Sequence, residues 1–276
     1  MKRFRLMVAD YDGTMVNDPR VMTSRMIADL EEVHRQGYLF GMASGRDWKQ
    51  VLAYGEQWGL SFPFDMAIGM NGQQLYDCGK QKLTEYSMLK KGAISAILSM
   101  MAPLHVTVMI HYQGLVYVSQ IDAEVEASIR RNHYEGVIRI IDNPDDFYDV
   151  ELPKIMYRVP EERMPEVEEW VRQHPSPLYK GFRTQKVVYE FTDPTVDKGV
   201  ALQDYCRDNG IPLDQVITFG DTTNDNGMLA CSYGVCLANG TPDTKAVATV
   251  ITELDNNHDG MADYLEKHIL DRPAEH

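Results

Sequence analysis

"FRLMVADYDGT", residues 4–14, decides how this chain is read. Phe4 to Ala9, apolar apart from Arg5, predict a short buried strand ending at Asp10. A second aspartate, Asp12, follows two positions on, directly before Gly13-Thr14. Two carboxylates at one strand end repel unless positive charge comes close, so the stretch points to a site as well as to a fold. The pattern then repeats. "TSRMIADLEEVHRQG" (23–37) puts Ile27, Leu30 and Val33 at helical spacing, with Thr23 or Ser24 as N-cap and Gly37 as the stop. "YLFGMASGR" (38–46) predicts a strand running into Ser44-Gly45-Arg46, "DWKQVLAYGEQWG" (47–59) a helix, and "FDMAIGMNG" (64–72) a third strand. Alternation of this kind predicts an α/β fold, a doubly wound, mainly parallel, Rossmann-like sheet.

The order breaks after residue 72. "QQLYDCGKQKLTEYSM" (73–88) reads as a hairpin turning near Asp77–Lys80. A helix over 90–101, two strands within 105–121, a helix around 122–134 and the strand "GVIRII" follow. Then come the helix "PEERMPEVEEWVRQH" and the strands "LYKGFRT" and "KVVYEFTD". From Asp197 the alternation resumes through "KGVALQDYCRDNG", "VITFG", "TNDNGMLACSYG", "VCLA", "PDTKAVA", "TVIT" and "DGMADYLEKHI". The expected organisation is a split core, residues 1–83 plus 189–276, around an inserted α+β domain, 84–188, with a loose "DRPAEH" tail.

Charge narrows the partners. With 27 Lys+Arg against 41 Asp+Glu, the net charge of -14 argues against nucleic acid and anionic membrane. The 276 residues contain four cysteines, Cys78, Cys206, Cys231 and Cys236, without CxxC spacing. A reducing, cytoplasmic setting is therefore expected, and the apolar run before Asp10 is too short for a signal peptide. Residues 92–121 lack Asp, Glu, Lys and Arg. Their period changes midway, however, and Gln113-Gly114 suits a hairpin turn, so a helix and hairpin are expected there rather than a membrane span. His105, His111, His133 and His174 lack metal-ligand spacing.

In doubly wound sheets ligands bind beyond the carboxyl ends of the strands. Those ends carry Asp10 and Asp12, then Ser44-Gly45-Arg46, then Asn71-Gly72, then Asp221 to Asp225, while Lys198 opens the helix that re-enters the core. The expected convergence is of three carboxylates (Asp10, Asp12, Asp221), a hydroxyl and an ammonium, with Asp225 in support. Arg46 and Asn71 either contact substrate or fix their loops.

"DYDGT", "ASGR", "VDKG" and "GDTTND", in that order, resemble the four motifs of the haloacid dehalogenase-like hydrolase superfamily. The insertion, the "NG" before it and the closing "NNHDGMADYLE" resemble its Cof-type phosphatase branch. The resemblance implies a Mg²⁺-dependent phosphatase acting on small phosphorylated metabolites such as sugar phosphates or phosphorylated cofactors. It implies Asp10 as nucleophile, Asp12 as general acid–base and Lys198 as the cation that steadies the transferred group. Ser44, Gly45, Arg46, Asn71 and Asn224 fall on the substrate side. Asp10, Asp12 (through its carbonyl) and Asp221 fall on the metal, with Asp225 acting on the metal's surroundings or on Lys198. The insertion would be a cap selecting substrate, with Tyr112, Tyr117, Arg158, Arg183 and Tyr189 as contact candidates. Transfer of the phosphoryl group to a sugar, as in a phosphotransferase or mutase, and a non-catalytic phosphate-binding module remain as alternatives. "DNNHDGMADYLE" (255–266) also fits the calcium-loop pattern, but a strand-like stretch precedes it where an EF-hand needs a helix. The number of subunits is not legible.

Overall fold

A computed structural model describes residues 4–132 and 136–270; His133 and the "DRPAEH" tail lie outside them. The first half of the core runs β1 (Leu6–Asp10), α1 (Ser24–Arg35), β2 (Leu39–Ala43), α2 (Trp48–Gln57), β3 (Met66–Gly69), β4 (Gln74–Asp77) and β5 (Lys82–Glu85). The inserted stretch carries α3 (Ala93–Met101), β6 (Thr107–Tyr112), β7 (Leu115–Val118), α4 (Ala123–Asn132), β8 (Ile138–Ile140), β9 (Lys154–Arg158), α5 (Met164–Gln173), β10 (Lys180–Gln185) and β11 (Val188–Thr192). The core resumes with α6 (Lys198–Asp208), β12 (Val216–Gly220), α7 (Asn226–Ala230), β13 (Tyr233–Cys236), α8 (Pro242–Val247), β14 (Val250–Ile251) and α9 (Gly260–His268).

The core sheet has the order β14-β13-β12-β1-β2-β3-β4-β5. It is parallel from β14 to β3, with β4 and β5 added antiparallel as the expected hairpin. Successive side chains leave a strand on opposite faces, and β1 is buried on both. Met7 and Ala9 pack with Met26, Leu30 and Val33 of α1 and Met261 and Leu265 of α9. Leu6 and Val8 pack with Ala201, Leu202 and Tyr205 of α6 and Met228 of α7. The helix boundaries follow local chemistry: Thr23 caps α1 by accepting the Met26 N–H, and Gly37, at φ 74, ends the turn beyond it.

The chain divides into two compact units, residues 1–86 with 196–276, and 87–195. These bounds differ from 84–188 because Lys82–Glu85 pairs with β4 of the core sheet, whereas Val188–Thr192 pairs with β9 and β10. The inserted unit is a sheet of order β10-β11-β9-β6-β7-β8 with α3 and α5 on a shared apolar core. Residues 92–121 resolve into a nine-residue helix and a hairpin turning at Gln113-Gly114, both at positive φ. Among the described residues no helix is long and apolar enough to cross a membrane. Of the aromatic contact candidates, Tyr189 is buried against Phe191, and Tyr117 packs edge-on to Phe147 within the unit's own core. Arg183 is engaged with the carbonyls of Gln185 and Lys186.

Candidate active site

Lys198 is the centre of the site. It is fully buried, with its Nζ 2.6 Å from Oδ1 of Asp10 and 2.7 Å from Oδ1 of Asp225. Lysine is rarely buried to this degree unless paired. Its position at the first residue of α6 also sets its charge at the helix end that disfavours cations, and the two carboxylates offset both costs. The helix start is fixed by Asp197, whose Oδ1 accepts the Gly199 N–H at 2.7 Å. Gly72 lets the third strand's loop close on this point: at φ 103, a Cβ there would lie 2.3 Å from the Asp197 carbonyl carbon. Asn71, also left-handed at φ 58, accepts from Asn224 Nδ2 at 3.1 Å, which joins the loops after β3 and β12.

Carboxylate oxygens of Asp10, Asp221 and Asp225 lie within 4.8 Å of one another. Burial pushes the Asp10 carboxyl up to about 7, with Lys198 pulling the other way and Asp225 adding to the rise. Asp221 is likewise raised well above its ordinary value, first by burial and then by Asp10. Burial works to lower the Lys198 ammonium, but Asp10 and Asp225 together leave it raised. Three buried carboxylates against one ammonium leave excess negative charge in a dry place. The donors are all hard oxygens, so the group fits Mg²⁺ or a similar hard cation.

The carboxylates are not equivalent. Asp225 spends Oδ1 on Lys198 and Oδ2 on the N–H groups of Asp221 and Thr222 at 3.0 and 3.2 Å. Asp221 holds Thr14 Oγ1 at 3.2 Å and Asn239 Nδ2 at 3.3 Å. Asp10 accepts from Lys198 through Oδ1. The carboxylate of Asp12 is not in this cluster, contrary to the expected convergence. It is held instead by Arg46, with Nη1 at 2.5 Å and Nη2 at 3.3 Å, and by Nε of Arg20 at 3.2 Å. The physical reason is that Asp12 lies past the strand, bridged to Val16, where two guanidinium groups reach it. Arg46 is seated by aromatic packing: its guanidinium carbon is 4.3 Å from the Tyr11 ring centroid, and Tyr11 stacks on Tyr54 at 4.4 Å.

Ser44 is buried at the end of β2, and its Oγ accepts from the Arg46 N–H and Nη1, both at 3.3 Å. Gly45 follows it in the same turn. Reading the sequence missed Arg20, which carries no motif, and Asn239, whose one signal is the Asn-Gly pair after a strand of the parallel sheet. The calcium-like stretch begins after β14, not after a helix, and its side chains serve the fold. Asp255 pairs with His258 at 2.6 Å, Asn257 accepts the Asp18 N–H at 3.0 Å, and Asp259 accepts from Thr23 at 2.7 Å.

The model of the haloacid dehalogenase-like hydrolases matches residues 7–265, and the chain belongs to that family. It is an enzyme of the phosphatase type among them. Phosphatase YwpJ of Bacillus subtilis is 22% identical over 297 residues, which cover 96% of this chain and 100% of that protein. 5-Amino-6-(5-phospho-D-ribitylamino)uracil phosphatase YitU, also of Bacillus subtilis, is 21% identical over 95% of this chain and 97% of its own. A solved subclass IIB sugar phosphatase shares the fold with a TM-score of 0.73 at 22% identity, covering 95% of this chain and 98% of that one.

Proposed function

We propose that this chain hydrolyses small phosphorylated metabolites, with Asp10 as nucleophile and Mg²⁺ as cofactor. The observation that carries the reading is the buried Asp10–Lys198–Asp225 bridge beside Asp221. It prepares one carboxylate for attack in a water-poor, strongly polarised place. Asp10 and Asp221 would hold Mg²⁺, with the Asp12 carbonyl, and Asp225 would act mainly through Lys198. When bound, the cation neutralises charge on the phosphoryl oxygens and keeps them oriented.

Asp10 attacks phosphorus, the ester P–O bond breaks, and Asp12 protonates the departing alkoxide. The now ionised Asp12 then takes a proton from water as that water attacks phosphorus, which frees Asp10 and releases phosphate. Lys198 favours the ionised form of Asp10 for the attack and, in the second step, steadies the phosphoryl group that Asp10 then carries. Ser44 and the N–H groups near Gly45 would bind phosphoryl oxygens, while Asn71 and Asn224 hold each other at the site's edge. Arg46 acts by aiming Asp12. The inserted unit is the cap that selects substrate, by its place in the chain between the second and third motifs. Relatives named for a phosphoribityl compound and for sugars support a small phosphate ester as substrate. Free Cys78, Cys206, Cys231 and Cys236 support a cytoplasmic setting.

The test is hydrolysis of p-nitrophenyl phosphate and a panel of sugar and cofactor phosphates, with Mg²⁺ or chelator, by wild type and Asp10→Asn. Acid-quenched wild type should carry one phosphoryl group on the Asp10 peptide. Wild-type rates in Asp10→Asn would overturn the mechanism, and phosphate appearing on an added sugar rather than in solution would make the enzyme a phosphotransferase.

A further inference from the structure

Asn239 stands in the turn that follows β13, outside every motif that defines the site. Its Nδ2 donates to the Gly13 carbonyl at 2.8 Å and to Oδ2 of Asp221 at 3.3 Å. Its Oδ1 accepts the backbone N–H of Asn256 at 3.1 Å. A backbone N–H can only donate, so this bond settles which way the amide lies: turned over, it would face N–H with NH₂ and a carboxylate with oxygen. The turn itself is braced to the site. The Thr241 N–H donates to the Asp221 carbonyl at 2.8 Å, and the Leu237 N–H to the Gly220 carbonyl at 3.0 Å. Lys245 Nζ donates to the Ala238 carbonyl at 2.7 Å.

Behind Asn239, the buried Asn256 donates to the Val16 carbonyl and to Oδ1 of Asp18, each at 3.1 Å. Two amides thus join the loop leaving β1, the end of β12 and the turn that enters α9. The first two segments already meet at the limit of approach, since a Cβ on Gly13 would lie 2.3 Å from Oδ2 of Asp221. Thr14 holds one oxygen of Asp221 and Asn239 holds the other, so the plane of that carboxylate is set from both sides.

We propose that Asn239, backed by Asn256, is a positioning residue for the cation: it holds Asp221 and the Gly13 segment at the spacing Mg²⁺ requires. This rests on the reading of Asp221 as a metal ligand given above. Groups that orient a ligating side chain are worth about 10–100-fold in metal affinity. The same bonds explain why "DNNHDG" stays so polar without being a calcium loop: its amides anchor the far side of the site.

The experiment titrates Mg²⁺ into the full chain stripped with chelator, read by calorimetry and by thermal shift, for wild type, Asn239→Ala, Asn239→Ser, Asn256→Ala and Asp221→Asn. Wild type should bind Mg²⁺ and Asp221→Asn should not. Asn239→Ala should unfold in chelator within a few degrees of wild type but need about 10–100-fold more Mg²⁺ for half-saturation. Asn256→Ala should shift the same way by less. At saturating Mg²⁺, Asn239→Ala should recover kcat to within about threefold, as a residue acting through the cation must. A wild-type midpoint in Asn239→Ala, or in Asn239→Ser and Asn256→Ala should the alanine variant not fold, overturns the inference and leaves the phosphatase reading intact. Failure of wild type itself to bind Mg²⁺ overturns both.

Discussion

Asp10 and Asp12 leave the same strand end and enter two different environments. Asp10 is buried with Lys198 and Asp225, where dry surroundings push its carboxyl up to about 7. Asp12 is half-buried between two guanidinium groups, with a side chain 22% exposed. The first environment favours a group that must be neutralised by a cation and must react at a fixed point. The second leaves a carboxylate within reach of solvent and fixed in direction by Arg46 and Arg20. The repulsion implied by "DYDGT" is therefore relieved by separation: each carboxylate has its own positive partner, and the backbone between them turns the two side chains apart.

Emptying the dry side should do the most damage. Asp10→Asn should lower turnover of an aryl phosphate by about 10⁴-fold or more, as loss of a covalent nucleophile does; a loss below tenfold would erase the contrast. Next, Lys198→Met leaves two buried carboxylates without their cation and should cost about 3–5 kcal/mol in urea unfolding with chelator present. That cost should shrink toward pH 5, where Asp10 can take a proton. Arg46→Ala should lower kcat about 10²-fold, the lower end of general acid–base contributions, while Tm in chelator moves little. Equal losses of kcat and Tm would make Arg46 a structural residue.

A pH comparison sharpens the same point. Because the folded-state value of Asp10 is raised from 3.8 to about 7, the folded state holds that proton more tightly than the unfolded chain. Its contribution to stability is complete below about pH 4 and is lost as pH rises through about 7. In chelator, Asp10→Asn should therefore gain on wild type across that window, as measured by urea unfolding at each pH; a constant difference would contradict the burial of a charged Asp10. Arg20→Ala should give the smallest effect, within about threefold in kcat, because its side chain is 55% exposed and exposed ion pairs contribute little.

Much of the dry side was legible in the sequence because it hangs on strand ends and a helix start. Apolar run, then aspartate, places Asp10; "VITFG" then Asp221 places the facing carboxylate; Lys198 opens the helix that re-enters the core. The wet side was less legible. No period or motif says that Arg20 turns back onto Asp12, or that Arg46 is seated on Tyr11, since such contacts come from side-chain reach and not from backbone pattern. The boundary of the inserted unit failed for a related reason. "KVVYEFTD" is recognisable as a strand, but alternation does not say which sheet it joins, and pairing with Lys154–Arg158 draws it into the insertion. Asn239 went unread because an Asn-Gly pair ordinarily signals nothing more than a turn.

The place of β1 in the sheet has a consequence for how the molecule is made. One side of β1 pairs with residues 39–43, while its other side waits for residues 216–219. As the chain leaves the ribosome, an N-terminal half-sheet with an open apolar edge must persist while the contiguous stretch 87–195 emerges and completes its own core. An open strand edge is what chaperones and stray strands recognise. The bond from Lys198 to Asp10 spans 188 positions, so the chemistry is assembled only after the whole inserted stretch has been synthesised, and a nascent chain remains inert until its central strand is closed.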